Sequence, residues 1–316
     1  MKESHLITAE WDKATPKAWD RALEQIGFVP YQQHYAYGEV VTARGGGAHR
    51  VRLFEGKELL GVAQVILRRL LGGTLATVIM GPVWRPGVTP MQKKAAYSAL
   101  KDNPPLPKPY LFLAMPWTAD SDGEGAAKLP RVVSSYHTVL LDLSPDEEDL
   151  LKGFDGKWRN RLRAAEKEGL TISQMGRRPE QYEWLLREER NQQLRLKYKA
   201  QDPGLIPFYQ LKAGQKSIFA LEAKDQAGRI GGMLFLLHGN AATYHIGWAS
   251  EEGRGKNVHN FLLWSAIKAL KKKGVTTLDL GGVDTDHVAG IARFKLGTGS
   301  TVFSQSGTYL LKAKLF

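Results

Sequence analysis

The sequence contains no cysteine, which removes disulfides, thiolate nucleophiles, zinc fingers and iron–sulfur clusters together. That composition agrees with a reducing compartment, and a cytoplasmic protein is expected. No apolar stretch approaches the roughly 18 residues that a spanning helix requires; the longest, such as 74–83 and 231–237, stop well short. Any membrane contact is therefore expected to be peripheral. The opening MKESHLITAEWD is broken by charges and has no apolar signal core, so no export signal is expected. The phosphate-binding P-loop, the dinucleotide glycine fingerprint, the G-x-S-x-G nucleophile elbow and the H-E-x-x-H metal motif are all missing as well. The usual NTPase, dehydrogenase, serine hydrolase and metalloprotease readings fall with them.

What is present is enough for two cores: 316 residues, 43% of them apolar, at about 150 residues per domain. Charge is unevenly distributed. Residues 1–150 hold 17 basic and 17 acidic side chains, whereas residues 151–316 hold 27 and 15, so the whole net charge of +12 belongs to the second half. A one-sided positive field suits a polyanion such as tRNA, a nucleotide-linked substrate or an anionic membrane face. The plainer reading is a soluble basic surface.

Periodicity predicts a helix near Pro16–Gly27, strands at 49–54, 59–67 and 74–81, a helix at Pro90–Lys101 and a strand at 110–115. The proline-rich joint from Asn103 to Pro109 cannot continue a helix. Residues 120–128 read as a loop and 133–143 as one strand, and Ser144-Pro-Asp-Glu-Glu-Asp reads as a capped helix start, so the domains are expected to divide near 147. Beyond it, Trp158, Leu162 and Ala165 recur at helical spacing, with Gly169 ending that helix before a strand at 170–173 and a long helix at 179–199 following. Three strands, 217–224, 229–238 and 241–249, joined by tight turns read as an antiparallel meander. It leads into a helix at 258–273, apolar nearly all round at first and thus buried, and then a strand at 276–280. A last strand, 301–311, is expected to complete a sheet, with that of the first domain as the candidate. The halves repeat: Gly61 and Gly231 are 170 residues apart and Gly81 and Gly247 are 166 apart, a near-constant offset that argues for two copies of one α/β unit.

Asp284, Asp286 and His287 follow the 276–280 strand, where α/β sheets commonly place their sites. A substrate-facing loop, a metal ligand set and a capped turn are all open readings. In acyl-CoA transferases of the GNAT type, a glycine-rich turn at the start of the central helix binds pyrophosphate. Here that location reads Glu251-Glu-Gly-Arg-Gly-Lys-Asn-Val-His-Asn260. Arg254-Gly255-Lys256 begins like such a loop, but Asn257 and His259 stand where small residues are needed for close backbone approach.

Lys157-Trp-Arg-Asn-Arg-Leu-Arg-Ala-Ala-Glu-Lys-Glu-Gly169 resembles the basic helix that opens the second domain of the FemABX family, the Fem-type aminoacyl transferases. Gly228 to Trp248, Asn260-Phe-Leu-Leu-Trp-Ser-Ala-Ile267, Gly274-Val-Thr-Thr-Leu-Asp-Leu-Gly-Gly282 and Gly290-Ile-Ala-Arg-Phe-Lys295 follow that family's pattern in order and spacing. The resemblance covers residues 150–300 and, through the repeat, extends to the first half. It implies an α/β (α+β) protein of two tandem GNAT-like domains, 1–147 and 148–300, each a mixed, mostly antiparallel sheet flanked by helices. It also implies transfer of an amino acid from aminoacyl-tRNA to an amine of a peptidoglycan precursor, nucleotide- or lipid-linked, or of a small peptide, without metal, coenzyme A or other cofactor. The long helical arm that some members insert in the second domain has no counterpart, which resembles the smaller members.

Lys295, in the Phe294-Lys295 pair that matches the family's motif, is the expected catalytic cation. Its role would be to stabilise the oxyanion of the tetrahedral intermediate; the competing structural role is an ion pair with Asp279 or Asp284. The helix bearing Lys157, Arg159, Arg161, Arg163 and Lys167 is the expected phosphate-contacting face, since 159, 163 and 167 lie at i,i+4 spacing and project together, or else it is a solvated face neutralised by Glu166 and Glu168. Tyr244 and Trp248 are expected on one strand face, lining an acceptor channel or packing the core. Asn260, Asp279, Asp284 and Phe294 complete the expected substrate-binding set. The rival functions are an N-acyltransferase with a thioester donor and a non-catalytic nucleic-acid-binding protein.

Overall fold

Val51 and Leu53, Ala63 and Val65, and Ala76 and Val78 are three alternating pairs on successive strands. All six pack into one buried cluster, as the period-2 pattern of a half-buried sheet requires. Val62, on the opposite side of the middle strand, packs into a second cluster with Trp19, Leu23 and Val83. That strand is covered on both faces, which is why its sequence reads as a nearly unbroken apolar run. The computed structural model describes residues 6–119, 129–196, 201–283 and 289–315, and the chain divides into two units, 1–136 with 304–316, and 137–303.

The first unit runs β1 (Ile7–Trp11), α1 (Pro16–Glu24), α2 (Tyr35–Ala43), β2 (Gly47–Glu55), β3 (Glu58–Leu70), β4 (Gly73–Val78), β5 (Val83–Trp84), α3 (Pro90–Lys101), β6 (Tyr110–Ala114) and β7 (Arg131–Val133), and takes back the last strand, β15 (Thr308–Lys314). Its sheet order is β1-β2-β3-β4-β6-β15-β7, with β5 pairing β3. β4 and β6 are parallel, joined through α3, whose start is fixed by a Thr89 and Gln92 capping box with Pro90 at the first helical position. A buried polar cluster ties α2 to the sheet. Arg50 donates to Gln64 Oε1 at 2.9 Å and to the Tyr35 carbonyl at 2.9 Å, while Gln64 donates to the Gln32 and His34 carbonyls. A Cβ on Gly38 would run into Gln64 and Arg50, so α2 can lie this close only with glycine there.

The second unit runs β8 (His137–Asp142), α4 (Glu147–Gly153), α5 (Gly156–Glu166), β9 (Thr171–Met175), α6 (Pro179–Leu196), α7 (Leu205–Ala213), β10 (Ile218–Asp225), β11 (Gly228–His238), β12 (Ala241–Ala249), α8 (Glu251–Gly255), α9 (Val258–Lys272), β13 (Thr277–Gly282), α10 (Ala289–Leu296) and β14 (Thr301–Ser304). Sheet order is β14-β8-β13-β12-β11-β10-β9. The parallel pair β12 and β13 is connected through α9, which is buried against the sheet through Val258, Leu262, Leu263, Ala266, Ile267 and Leu270. β2-β3-β4-α3-β6 in the first unit and β10-β11-β12-α9-β13 in the second are therefore the same meander, helix and parallel strand, as the glycine offsets predicted.

Two expectations need correction. Residues 133–143 are not one strand: β7 and β8 are separate and belong to different sheets, so the units part at 136/137 and not at 147. Residues 301–311 likewise break at Ser306 and Gly307, the latter at φ 111°, into β14 of the second sheet and β15 of the first. The helix expected at 179–199 is described to Leu196, and the loop expected at 120–128 lies outside the described residues. No helix among the described residues is long and apolar enough to cross a membrane.

Candidate active site

β12 and β13 pair over only three residues, from Ala241 with Thr277 to Thr243 with Asp279, although both strands continue. Past that point they part. A parallel pair that opens in this way leaves side chains and backbone groups of both strands facing a shared gap, and Asp279, the Gly282 carbonyl and Lys295 meet there.

Asp279 lies at the fork. Its Oδ1 accepts the Thr138 hydroxyl at 2.6 Å and the Gly281 amide at 2.8 Å. Burial pushes this carboxyl up from the ordinary aspartate range, while those two hydrogen bonds and the nearby Lys295 charge pull the other way. The register against β8 shifts between Asp279 and Gly282, and Gly281 stands at φ 76°, a conformation that favours glycine. The bulge turns the Gly282 carbonyl toward α10, and Lys295 Nζ donates to it at 2.7 Å. Lys295 is 7% exposed, and burial pushes its ammonium down to about 8, opposed by Asp279. Among the described residues no carboxylate lies within 4 Å of Nζ, and Gly282 is its one hydrogen-bond partner, so the direct ion pair with Asp279 considered above does not form. The ammonium sits 6.0 Å from the centre of the Tyr244 ring on β12. The resulting arrangement is a desolvated cation with donors unused by the described residues, where two strands part, suited to meeting negative charge that develops on a bound group.

The neighbouring helices hold α10 in place. Trp158 of α5 stacks on Phe294 at 6.1 Å between ring centres, and its indole N–H donates to the Phe294 carbonyl at 3.1 Å. His259 also packs near Phe294, at 6.1 Å between ring centres. Phe294 is thus a packing residue in this structure. Asn260, expected among the binding residues, is buried on α9, and its amide nitrogen, like His259 Nε2, has no partner among the described residues. Burial lowers the His259 pKa from its ordinary value, against a hydrogen bond to the Trp248 backbone.

Tyr244 and Trp248 do not share a face. The register of β11 with β12 shifts at His245, so that Tyr244 pairs with Phe235 whereas Trp248 pairs with Gly232. One extra residue reverses the alternation. Tyr244 packs on Phe235, and Trp248 meets Trp184 of α6 edge-on at 5.9 Å. The Tyr244 hydroxyl lies directly over Gly247, where any Cβ would collide with it. Gly247→Ala is therefore expected to displace the Tyr244 ring without unfolding the unit, which near-ultraviolet circular dichroism with an unchanged far-ultraviolet spectrum would report.

The basic helix splits by role. Arg159 donates to the Lys152 carbonyl at 2.7 Å and so caps the end of α4, a structural use. Arg163 reaches Asn160 at 3.3 Å. Lys157 and Arg161 are exposed and unpartnered among the described residues, and none of the four pairs with Glu166 or Glu168. Asp284, Asp286 and His287 lie outside the described residues.

The stretch compared above with a pyrophosphate loop is folded into α8. Gly253 N donates to the Ser250 hydroxyl, Arg254 N to the Ser250 carbonyl, Lys256 N to Glu252 and Asn257 N to Arg254. Lys256 is clamped by Asp225 and Glu252 at 2.6 Å each, and the Arg254 guanidinium donates to the Ala249 carbonyl at 2.7 Å. The expected obstruction by His259 is not what closes the loop, since that ring turns inward onto Phe294. The amides and cations are instead occupied by the protein itself, a self-pairing that spacing alone could not reveal.

Residues 154–296 match the family model described as an acetyltransferase (GNAT) domain. Among solved structures, the crystal structure of FemX aligns over 95% of this chain and 96% of its own, with a TM-score of 0.79 at 16% identity. A conserved protein of unknown function from Bacteroides thetaiotaomicron aligns over 96% and 98% with a TM-score of 0.54 at 10% identity. A tandem GNAT protein from the clavulanic acid biosynthesis pathway aligns over 96% and 97% with a TM-score of 0.50 at 14% identity. No curated protein matches the chain. The Fem-type resemblance read in residues 150–300 is met by a FemX-like fold along nearly the whole chain, with mixed sheets flanked by helices in both units. The domain match supports an enzyme that transfers an acyl group, and the structural likeness shows the fold.

Proposed function

We propose that the protein is an aminoacyltransferase that moves an amino acid from aminoacyl-tRNA to an amine of a peptidoglycan precursor or a related small peptide. The observation that carries the reading is Lys295, a buried ammonium with no carboxylate partner among the described residues, at the fork of β12 and β13. In aminolysis the amine nitrogen attacks the ester carbonyl, and the electron pair moves onto the carbonyl oxygen. When the tetrahedral intermediate collapses, the C–N bond remains, the C–O bond to the ribose breaks and the nitrogen's proton leaves with the tRNA hydroxyl. The reaction is downhill, so the contribution required of the protein is orientation and stabilisation of the oxyanion. Lys295 supplies the cation, while Lys157, Arg161 and Arg163 of α5 supply phosphate contacts for the donor. Asp279 and the bulge at Gly281 and Gly282 position the ammonium.

The GNAT domain match favours one other reading, an N-acyltransferase with a coenzyme A thioester donor. Self-paired Arg254, Lys256 and α8 amides weigh against that donor in the second unit. A binding experiment separates the two. Charged tRNA is expected to bind with an affinity that falls steeply between about 50 and 200 mM salt, as several phosphate contacts require, and acetyl-CoA is expected to leave the Tm unchanged. Thermal protection by acetyl-CoA with salt-insensitive or absent tRNA binding would reverse the assignment.

A further inference from the structure

β3 is 13 residues long and outruns its neighbours. Its pairing with β2 ends at Leu67 with Gly47, and β4 first meets β6 at Thr74 with Tyr110. Between those points Arg68-Arg69-Leu70-Leu71-Gly72-Gly73 extends as a two-stranded tip, closed by Leu70 pairing Gly73 and by Gly72 at φ 85°, with Gly73 backed by Pro109. Leu70 is 53% exposed and Leu71 wholly so. Arg68 and Arg69 are exposed and have no hydrogen-bond or ion-pair partner among the described residues. The same end of the sheet carries Lys108, at the approach to β6, and Lys314 of β15, which pairs with Tyr110. These two ammonium groups stand so close that contact with Lys314, and then its charge, lowers the Lys108 pKa below the usual lysine range. Exposed Leu315 follows. No Asp or Glu occurs from Leu59 through Lys101 or anywhere after Asp286, and exposed Asp102, at the end of α3, is the acid nearest in sequence to this end.

We propose that the β3–β4 tip docks the protein onto an anionic phospholipid bilayer, Leu70 and Leu71 entering the headgroup and acyl boundary while Arg68, Arg69, Lys108 and Lys314 meet lipid phosphates. Adjacent apolar side chains at the apex, with arginines one step behind, match an interface whose depth is apolar and whose surface is negative. Nucleic acid would engage the arginines but gives no use for two leucines thrust into solvent, and a second copy of this chain would meet the same positive rim. The inference goes beyond the transfer reaction and concerns the first unit alone.

Sedimentation with vesicles of equimolar phosphatidylglycerol and phosphatidylcholine, and of phosphatidylcholine alone, tests it on the full chain. Binding to the anionic vesicles and little to the neutral ones is expected. Arg68→Gln with Arg69→Gln should weaken partitioning by about fivefold per arginine, and Leu70→Ser with Leu71→Ser by about tenfold. Both double variants should keep the parent Tm and tRNA affinity, because the tip is exposed and makes no core contact. Equal vesicle binding by the leucine variant and the parent would overturn the proposal. So would loss of tRNA affinity in the arginine variant with vesicle binding intact, or an effect of the leucine variant confined to sedimentation coefficient, which would identify self-association.

Discussion

Lys295→Met is expected to reduce kcat for aminoacyl transfer by about 10² to 10³-fold, the cost of removing one oxyanion donor, with little change in KM for the acceptor. Two properties make the result diagnostic. Methionine fills a similar volume without requiring a buried charge, which offsets the hydrogen bond lost to the Gly282 carbonyl, so the variant should melt close to the parent and a lost rate, taken per folded molecule, cannot be attributed to unfolding. The parent should also show the titration of its own cation. Because burial holds Lys295 near 8, the cationic form is present below that pH, and kcat should fall as pH rises through about 8. The stability effect has the opposite direction. The folded pKa lies below the unfolded value, so the destabilisation from burying the charge is complete below about 8 and is relieved as pH rises from there toward the ordinary lysine value of 10.5. Falling activity with constant or rising Tm over that interval, both absent in Lys295→Met, is the expected signature. A Lys295→Met enzyme with parental kcat would remove the lysine from the chemistry altogether.

Lys295 and Asp279 entered the candidate site from the sequence because the Phe294-Lys295 pair and the 274–282 stretch resemble Fem-type motifs. Their separation in space was not legible, since the bulge that turns the Gly282 carbonyl onto Nζ, in place of a direct ion pair with Asp279, depends on pairing with β8 from far earlier in the chain. The same limit explains Tyr244 and Trp248: even spacing places them together only if the ladder is regular, and the shift at His245 is set by β11. Elements with local signals were readable, and α3 matches its expected bounds from Pro90 to Lys101, where proline, a capping box and a basic last turn all agree. α2 was not read, since it lacks a side-chain cap and contains Gly38, whose reason is tertiary: the glycine admits Gln64 and Arg50. β5 has two residues, too few to show a period. The β3–β4 tip escaped notice for a related reason, because an Arg-Arg-Leu-Leu stretch reads as ordinary strand until the neighbouring strands are seen to stop short of it.

The packing that holds α10 against α5 yields the largest expected stability effect. Trp158 is 3% exposed and packs against Phe154 at 4.7 Å and Phe294 at 6.1 Å between ring centres. Trp158→Ala is expected to destabilise the second unit by about 3–5 kcal/mol, from lost transfer energy plus the cavity left behind, measured by urea unfolding. Trp158→Phe keeps an aromatic ring in the space and removes the indole donor, leaving the Phe294 carbonyl without that partner. Its cost should be smaller, near the 1–3 kcal/mol of an unsatisfied buried acceptor. Phe294 is the residue before Lys295, so the two variants differ in what they do to the cation as well. A ring at 158 retains the stacking that fixes α10, and kcat should remain close to parental once the folded fraction is accounted for. Alanine frees the helix, and because misplacement by about 1 Å costs on the order of 10²-fold in a positioned reaction, kcat per folded molecule should fall with KM little changed. Equal kcat per folded molecule in the alanine and phenylalanine variants would mean that Trp158 serves the core alone and that Lys295 is held by the Gly282 carbonyl without help from α5.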